Sequence, residues 1–387
     1  YVTRNNTSIL AFKVGTKLDN YSFNIVTSHT DSPTFKVKEN AEIEVKNKYT
    51  QLNTEGYGGM LCATWLDRPL SIAGRVLVSE GNSIVTKLLN IDRDLLMIPN
   101  VAIHMNRAAN DGFKYNLQVD MLPLLSGGDD RQKDFKQIIA DELGVKKEDI
   151  LGHDLYLYNR MAPSIWGANE EFISAGHLDD LQCGFASLKA LLAGYNDESI
   201  DIMACFDNEE VGSGTKQGAD STLLRDTLIR INNALGKTEE DYHRALASSF
   251  MLSADNAHAV HPNHPEHTDV TNCTYMNEGV VVKSHAGQKY TSDGVSMAVV
   301  KSLASGADVP LQYFANRSDK AGGSTLGNIA MAQASMNAVD IGLPQLAMHS
   351  SYETAGIKDT YYAIALMKAL FDSHIQETST HSLEIKR

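Results

Sequence analysis

Ser22-Phe-Asn-Ile-Val-Thr27 runs without a break into Ser28-His29-Thr-Asp31-Ser-Pro33. The first six residues have the β-branched and aromatic content of a strand, so a histidine and an aspartate stand just past a strand end. In open α/β sheets, ligands bind outside the carboxyl ends of the strands. The fold therefore turns on whether the rest of the chain supplies more strands of this kind.

Beyond about Tyr158 it does. Apolar runs such as Ile200-Asp-Ile-Met-Ala-Cys-Phe206 and Ser249-Phe-Met-Leu252 alternate with helical stretches, among them 184–192 and 360–371. That alternation predicts an α/β layer structure. The intervening region has a different texture: Phe35-Lys-Val-Lys38, Ile43-Glu-Val45, Gly56-Tyr-Gly-Gly59 and Gly74-Arg-Val-Leu-Val78 read as short strands and turns. Within it, residues 131–143 place Phe135, Ile138, Ile139 and Leu143 at helical spacing ahead of Gly144, a C-terminal stop. The simplest organisation is an α/β domain split in sequence, 1–41 and 158–387, with a β-rich domain inserted at 42–157. The strand that opens the chain's first segment then joins the sheet built by the C-terminal half.

The 387 residues suffice for two domains, and 43% hydrophobic with 21% charged residues is an ordinary globular composition. No apolar run approaches the roughly 20 residues that span a bilayer, so no membrane role is expected. A net charge of -14 gives no basic footprint for nucleic acid. Cys62, Cys183, Cys205 and Cys273 are widely spaced without a CxxC pair, which fits a reducing compartment and a cytoplasmic location.

Five short motifs carry acids or histidines, and four of them follow an apolar strand-like run: His29-Thr-Asp31, His177-Leu-Asp179-Asp180, Asp207-Asn-Glu209-Glu210, Ser253-Ala-Asp255 and Ala347-Met-His349. One such motif alone is more often a turn residue or a satisfied hydrogen-bonding group. The repeated setting is what argues for a single site. Adjacent Glu209 and Glu210 at a strand end repel unless a cation or a proton relieves them, although a solvated surface pair is the common case. Imidazole nitrogens and carboxylate oxygens suit zinc. A carboxylate shared between two ions would hold them about 3.5–4 Å apart, as in two-metal hydrolases.

Taken together, these motifs resemble the aspartyl aminopeptidase and aminopeptidase I family of cocatalytic zinc metallopeptidases. The likeness covers nearly the whole chain and keeps the order Ser28-His-Thr-Asp-Ser-Pro33, Trp65-Leu-Asp-Arg-Pro69, Val101-Ala-Ile-His104, Leu178-Asp-Asp-Leu181, Asp207-Asn-Glu-Glu-Val-Gly-Ser213, Ser253-Ala-Asp-Asn-Ala-His-Ala-Val-His-Pro262 and Pro344-Gln-Leu-Ala-Met-His-Ser350. The resemblance implies a mixed-sheet α/β/α metallopeptidase domain with an inserted dimerisation domain. It implies two zinc ions per subunit, with manganese or cobalt as substitutes. Asp179 would bridge them, His29 and Asp255 would complete one site, Glu210 and His349 the other, and Glu209 would be the general base. Asp31 fits a partner that orients the His29 imidazole.

Lys283 matches a lysine that meets an acidic substrate side chain, and His261 a histidine of the substrate pocket. His104 matches a histidine delivered into a neighbouring subunit's active site, with dimers assembling into dodecamers. The implied activity is removal of single residues from peptides with a free N-terminus, with a preference for Asp or Glu. The alternatives are a neutral, apolar-preferring aminopeptidase, another dimetal hydrolase such as a carboxypeptidase or N-deacylase, and a non-catalytic assembly shell. Two departures from the family stand out: Asp180-Leu181 differs from the Asn-Leu of the animal members, and Asn100 replaces a histidine. Gly322-Gly-Ser-Thr-Leu-Gly327 lacks the ending of a P-loop and reads as a close-approach loop beside the substrate.

Overall fold

The structure, a computed structural model, describes residues 1–128, 134–379 and 382–387. They fall into two compact units. One comprises 1–32, 164–348 and 353–387, the other 33–163 and 349–352.

The first unit is built on an eight-stranded sheet: β1 (Val2–Arg4), β2 (Ser8–Val14), β3 (Ser22–His29), β4 (Ser199–Phe206), β5 (Phe250–Ala254), β6 (Val280–Lys283), β7 (Leu311–Phe314) and β8 (Asn337–Gly342), in the order β1-β2-β4-β3-β5-β8-β6-β7. The central run β4-β3-β5-β8 is parallel, while β2 against β4 and β6 against β8 are antiparallel, so the sheet is mixed as expected. Side chains alternate between two apolar layers, the period-2 consequence of a pleated strand. Phe23, Ile25, Ile200, Ile202, Ala204, Phe206 and Met251 share one layer with helices α2 (Leu223–Ala234), α3 (Glu239–Ala247) and α5 (Leu326–Gln333). Val26, Met203, Cys205, Phe250, Leu252 and Ala254 share the other with α1 (Leu178–Ala193), α4 (Gly294–Gly306) and α6 (Asp359–Phe371). This is the three-layer α/β/α arrangement. Strands buried on both faces read as near-continuous apolar runs, which is why Ile200 to Phe206 was so legible.

One polar residue interrupts that run. Asp201 is 1% exposed and accepts hydrogen bonds from Ser199 Oγ at 2.9 Å and Asn24 Nδ2 at 3.2 Å. Burial pushes its carboxyl up to about 7, against the downward pull of Ser199 and Asn24. Between an ordinary value near ~3.9 and that raised one, the folded chain keeps a proton the unfolded chain has released. The stabilisation is therefore fully present below pH ~4 and lost as pH rises towards 7. Asp201→Asn preserves the acceptor oxygen and removes the charge. It is expected to stabilise the protein by about 1–3 kcal/mol at pH 8 and to give no gain at pH 4, as read from urea unfolding at the two values.

The second unit is a six-stranded sheet ordered Ser83–Asn90, Leu70–Glu80, Ile150–Asn159, Thr34–Val45, Tyr49–Tyr57, Leu124–Gly127, with antiparallel pairing throughout. Trp65, Phe35, Leu52, Ile72 and Phe135 lie in its core. Phe35-Lys-Val-Lys38 and Ile43-Glu-Val45 form one strand with an irregular register between Val37 and Glu42. Because that strand is continuous from Thr34, the unit begins at Pro33 rather than at 42, and at its far end it runs to Pro163 rather than 157. Its helix Phe135–Leu143 starts at Asp134, whose side chain accepts from Gln137 N–H, and stops at Gly144 in the left-handed region at φ 64°. Residues 131–133 of the anticipated helix lie outside the described residues. Among the described residues, no helix is long and apolar enough to cross a membrane, and all four cysteines are free.

Candidate metal centre

Parallel neighbours β4, β3 and β5 bring three of the sequence motifs to one edge of the sheet. His29 is the last residue of β3 and pairs with Phe206, the last of β4, so Asp207 to Glu210 leave the sheet beside it. On the other flank, Ser253 pairs with Thr27, and Asp255 follows the end of β5. Asp179 and Asp180 come from the first turn of α1, where both depart from helical φ/ψ and the peptide between them is cis.

His29 is 1% exposed and sits at the middle of this group. Its Nε2 lies 3.6 Å from Asp179 Oδ1 and 3.9 Å from Asp255 Oδ1. Its Nδ1 donates to the Asp31 carbonyl at 3.0 Å, since a carbonyl can only accept. That bond puts a proton on Nδ1 and leaves Nε2 as the nitrogen that a metal ion would take. Asp31 has a second job: its carboxylate accepts the N–H groups of Glu209 at 3.0 Å and Glu210 at 3.1 Å, which pins the acidic turn next to the histidine. Asp31 thus faces the imidazole with both its carbonyl and, at 3.6 Å from Nδ1, its carboxylate, which also serves the neighbouring loop.

Donor atoms of His29, Asp179 and Asp255 lie within 4.8 Å of one another, and so do those of His29, Glu209 and Glu210. So many acids in one buried volume perturb one another. Burial, then the charges of Asp255 and its neighbours, push Glu209 up to about 8. Burial and Asp179 push Glu210 up to about 10. Asp255 behaves oppositely: burial raises it, but the Lys283 ammonium and His29 outweigh that and hold it at about 2. Burial disfavours the His29 imidazolium, yet Asp179, Asp255 and Asp31 leave its pKa well above the ordinary value. A divalent cation answers all these charges at once, and the nitrogen and oxygen donor set fits zinc.

The remaining expected residues are placed as follows. Lys283, at the end of β6, is 3% exposed; its ammonium donates to the Asn256 carbonyl at 2.9 Å, lies 3.6 Å from Asp255 Oδ2, and stands 5.6 Å from the Tyr290 ring centroid. His261 is exposed, on the loop after the short strand Ala257–His258. His104 is exposed in a turn-rich stretch of the second unit. His349 packs with that unit too, with its Nδ1 donating to the Gly59 carbonyl at 2.9 Å, the same device that fixes the His29 tautomer.

Three contributors carried no assigned role in the sequence. Glu353, 2% exposed, accepts from Asp179 N–H at 2.9 Å. Asp180 accepts from His29 N–H at 3.2 Å. Asn256 ties the Leu178 carbonyl, Gln182 and Gln345 together behind Asp255. Glu353 is a single acid opening a short strand just past the motif that ends at Ser350, and no local pattern marks it.

The fold and this cluster are those of an α/β protein with a buried nitrogen and oxygen donor set suited to a divalent metal ion. Residues 1–371 match the family described as aminopeptidase I zinc metalloprotease (M18). A probable M18 family aminopeptidase 2 of Clostridium novyi (strain NT) is 46% identical over 378 residues, covering 96% of this chain and 87% of the relative. Among solved structures, the Ape4 and Nbr1 complex contains a chain with a TM-score of 0.92 at 35% identity, covering 96% of this chain and 75% of that one. The S. cerevesiae mApe1 dodecamer gives 0.80 at 27%, covering 95% and 84%. The chain belongs to the M18 family and is a zinc aminopeptidase.

Proposed function

We propose that this centre holds two zinc ions with Asp179 shared between them, His29 and Asp255 completing one site, Glu210 and His349 the other, and Glu209 acting as general base on peptides with a free N-terminus. The observation that carries this reading is Asp31's grip on two successive N–H groups, which fixes Glu209 and Glu210 as a pair beside His29. Manganese or cobalt would be accepted by the same donors. Bound zinc supplies a Lewis acid for the scissile carbonyl and lowers the pKa of water. Glu209 takes the proton released as water attacks and passes it to the leaving amine. Asp31 and Glu353 keep the donors in place from behind, and Lys283 anchors Asp255.

Lys283 was the basis for expecting an acidic N-terminal residue. In the structure its charge already faces Asp255, and it donates to Asn256. That favours the alternative, a neutral N-terminal residue. On the zinc-loaded protein, a leucyl peptide is expected to turn over at least about tenfold faster than its aspartyl or glutamyl counterparts, and the N-acetylated leucyl peptide is expected to be inert. Faster aspartyl turnover would restore the acidic reading. Cleavage of the acetylated peptide would overturn the aminopeptidase one.

The proposal extends to assembly. The second unit would pair subunits, and His104 of the partner subunit would reach the reacting carbonyl, with dimers building towards a dodecamer like that of the S. cerevesiae relative. Four free cysteines support activity in the cytoplasm.

A further inference from the structure

A second group of side chains able to hold a metal ion, sharing no residue with this centre, lies in His261-Pro-Asn-His264-Pro-Glu-His267. The histidines recur every three residues. Successive tight turns, His264 N–H to the His261 carbonyl at 3.0 Å and His267 N–H to the His264 carbonyl at 3.2 Å, give this segment the period of a 3₁₀ helix, in which side chains three apart eclipse. The His264 and His267 rings accordingly stack, with centroids 5.3 Å apart, while His261 is tilted against His264 at 5.5 Å. Pro265 opens the 3₁₀ turn Pro265–His267, and Arg317 donates to the Glu266 carbonyl, so the segment is held before any ligand arrives.

Glu266 Oε1 accepts a hydrogen bond from His264 Nδ1 at 3.0 Å, a proton that a bound metal ion would displace, and lies 3.6 Å from His267 Nε2. Tetrahedral zinc with nitrogen and oxygen bonds of about 2.0–2.2 Å requires donors about 3.3–3.5 Å apart, and the two distances bracket that separation. Donor atoms of all three residues lie within 4.8 Å of one another. His261 stays outside the set, because its Nδ1 accepts the Asn263 N–H at 3.2 Å, which puts its proton on Nε2.

We propose that His264, Glu266 and His267 form a peripheral site for a divalent transition-metal ion, zinc foremost, with water in the remaining position. None of the three residues is among the ligands proposed for the catalytic zinc ions. His264 and Glu266 are each 58% exposed and His267 66%, so ordering them makes the site weaker than a buried one. An ion here would also fix His267, which lines a cavity of about 260 Å³ with His258, His261, Phe314 and Gln345.

The test is a zinc titration of the metal-loaded protein by calorimetry, comparing wild type with His264→Gln/His267→Gln, after metal analysis shows equal resident zinc and circular dichroism shows equal folding. Wild type is expected to take up one further equivalent, weakened at least about tenfold in the variant. Magnesium, which prefers six oxygen donors, is expected to produce no such equivalent. Identical zinc isotherms for the two proteins, no equivalent beyond the resident metal in wild type, or magnesium uptake equal to that of zinc would each overturn the proposal.

Discussion

Glu209→Gln is expected to lower kcat by about 10²–10⁴-fold while leaving two equivalents of zinc bound. The amide is close to isosteric and keeps an acceptor oxygen, but it cannot take up a proton. The backbone anchor is untouched, because Asp31 holds the main-chain N–H of residue 209 and not its side chain. Glu209 and Glu210 thus separate cleanly as test sites: one should cost turnover with metal retained, the other should cost metal as well. Metal analysis beside steady-state kinetics distinguishes them. A variant with full metal and near-normal kcat would remove Glu209 from the base role and leave the family membership standing.

The parts of this centre that could be read from sequence are those the sheet itself arranges. His29, Glu209, Glu210 and Asp255 each follow an apolar strand, and parallel pairing of β4, β3 and β5 turns three separate local signals into one place. What could not be read depends on packing between distant segments. Asp31 reads as a partner for the imidazole two residues away, and its carboxylate lies 3.6 Å from His29 Nδ1, but its reach across to the N–H groups of residues 209 and 210 has no local signature. Lys283 looked like a charge awaiting substrate. Only the crossing of β6 beside β8, which sets Lys283 opposite Asp340 in register and near Asp255, shows that the ammonium is already engaged. Glu353 was invisible because a single acid in a strand has no signature until its partner's N–H is located. The first edge of the second compact unit has a simpler cause: the strand from Thr34 to Val45 has an irregular register, so its alternation reads as two short strands.

The Asp255–Lys283 pair leads to an expected result in which stability and metal binding part company. Asp255→Asn removes the carboxylate that the buried ammonium faces, and breaking a buried pair from one side costs about 3–5 kcal/mol. The same change removes a proposed zinc ligand, so metal content and activity should fall together with the unfolding midpoint. From these losses alone, nothing separates a ligand from a structural counter-charge. Adding Lys283→Met does, because methionine fills much of the same volume and carries no charge, and it has no need of Asp255. The double variant Asp255→Asn/Lys283→Met is expected to recover most of the lost stability. A pair replaced on both sides is often neutral, whereas a charge left alone is not. It should nevertheless remain short of zinc and inactive, since an amide oxygen is a poor substitute for a carboxylate at a zinc site. Recovery of zinc and activity along with stability would show that Asp255 acts only as the partner of Lys283.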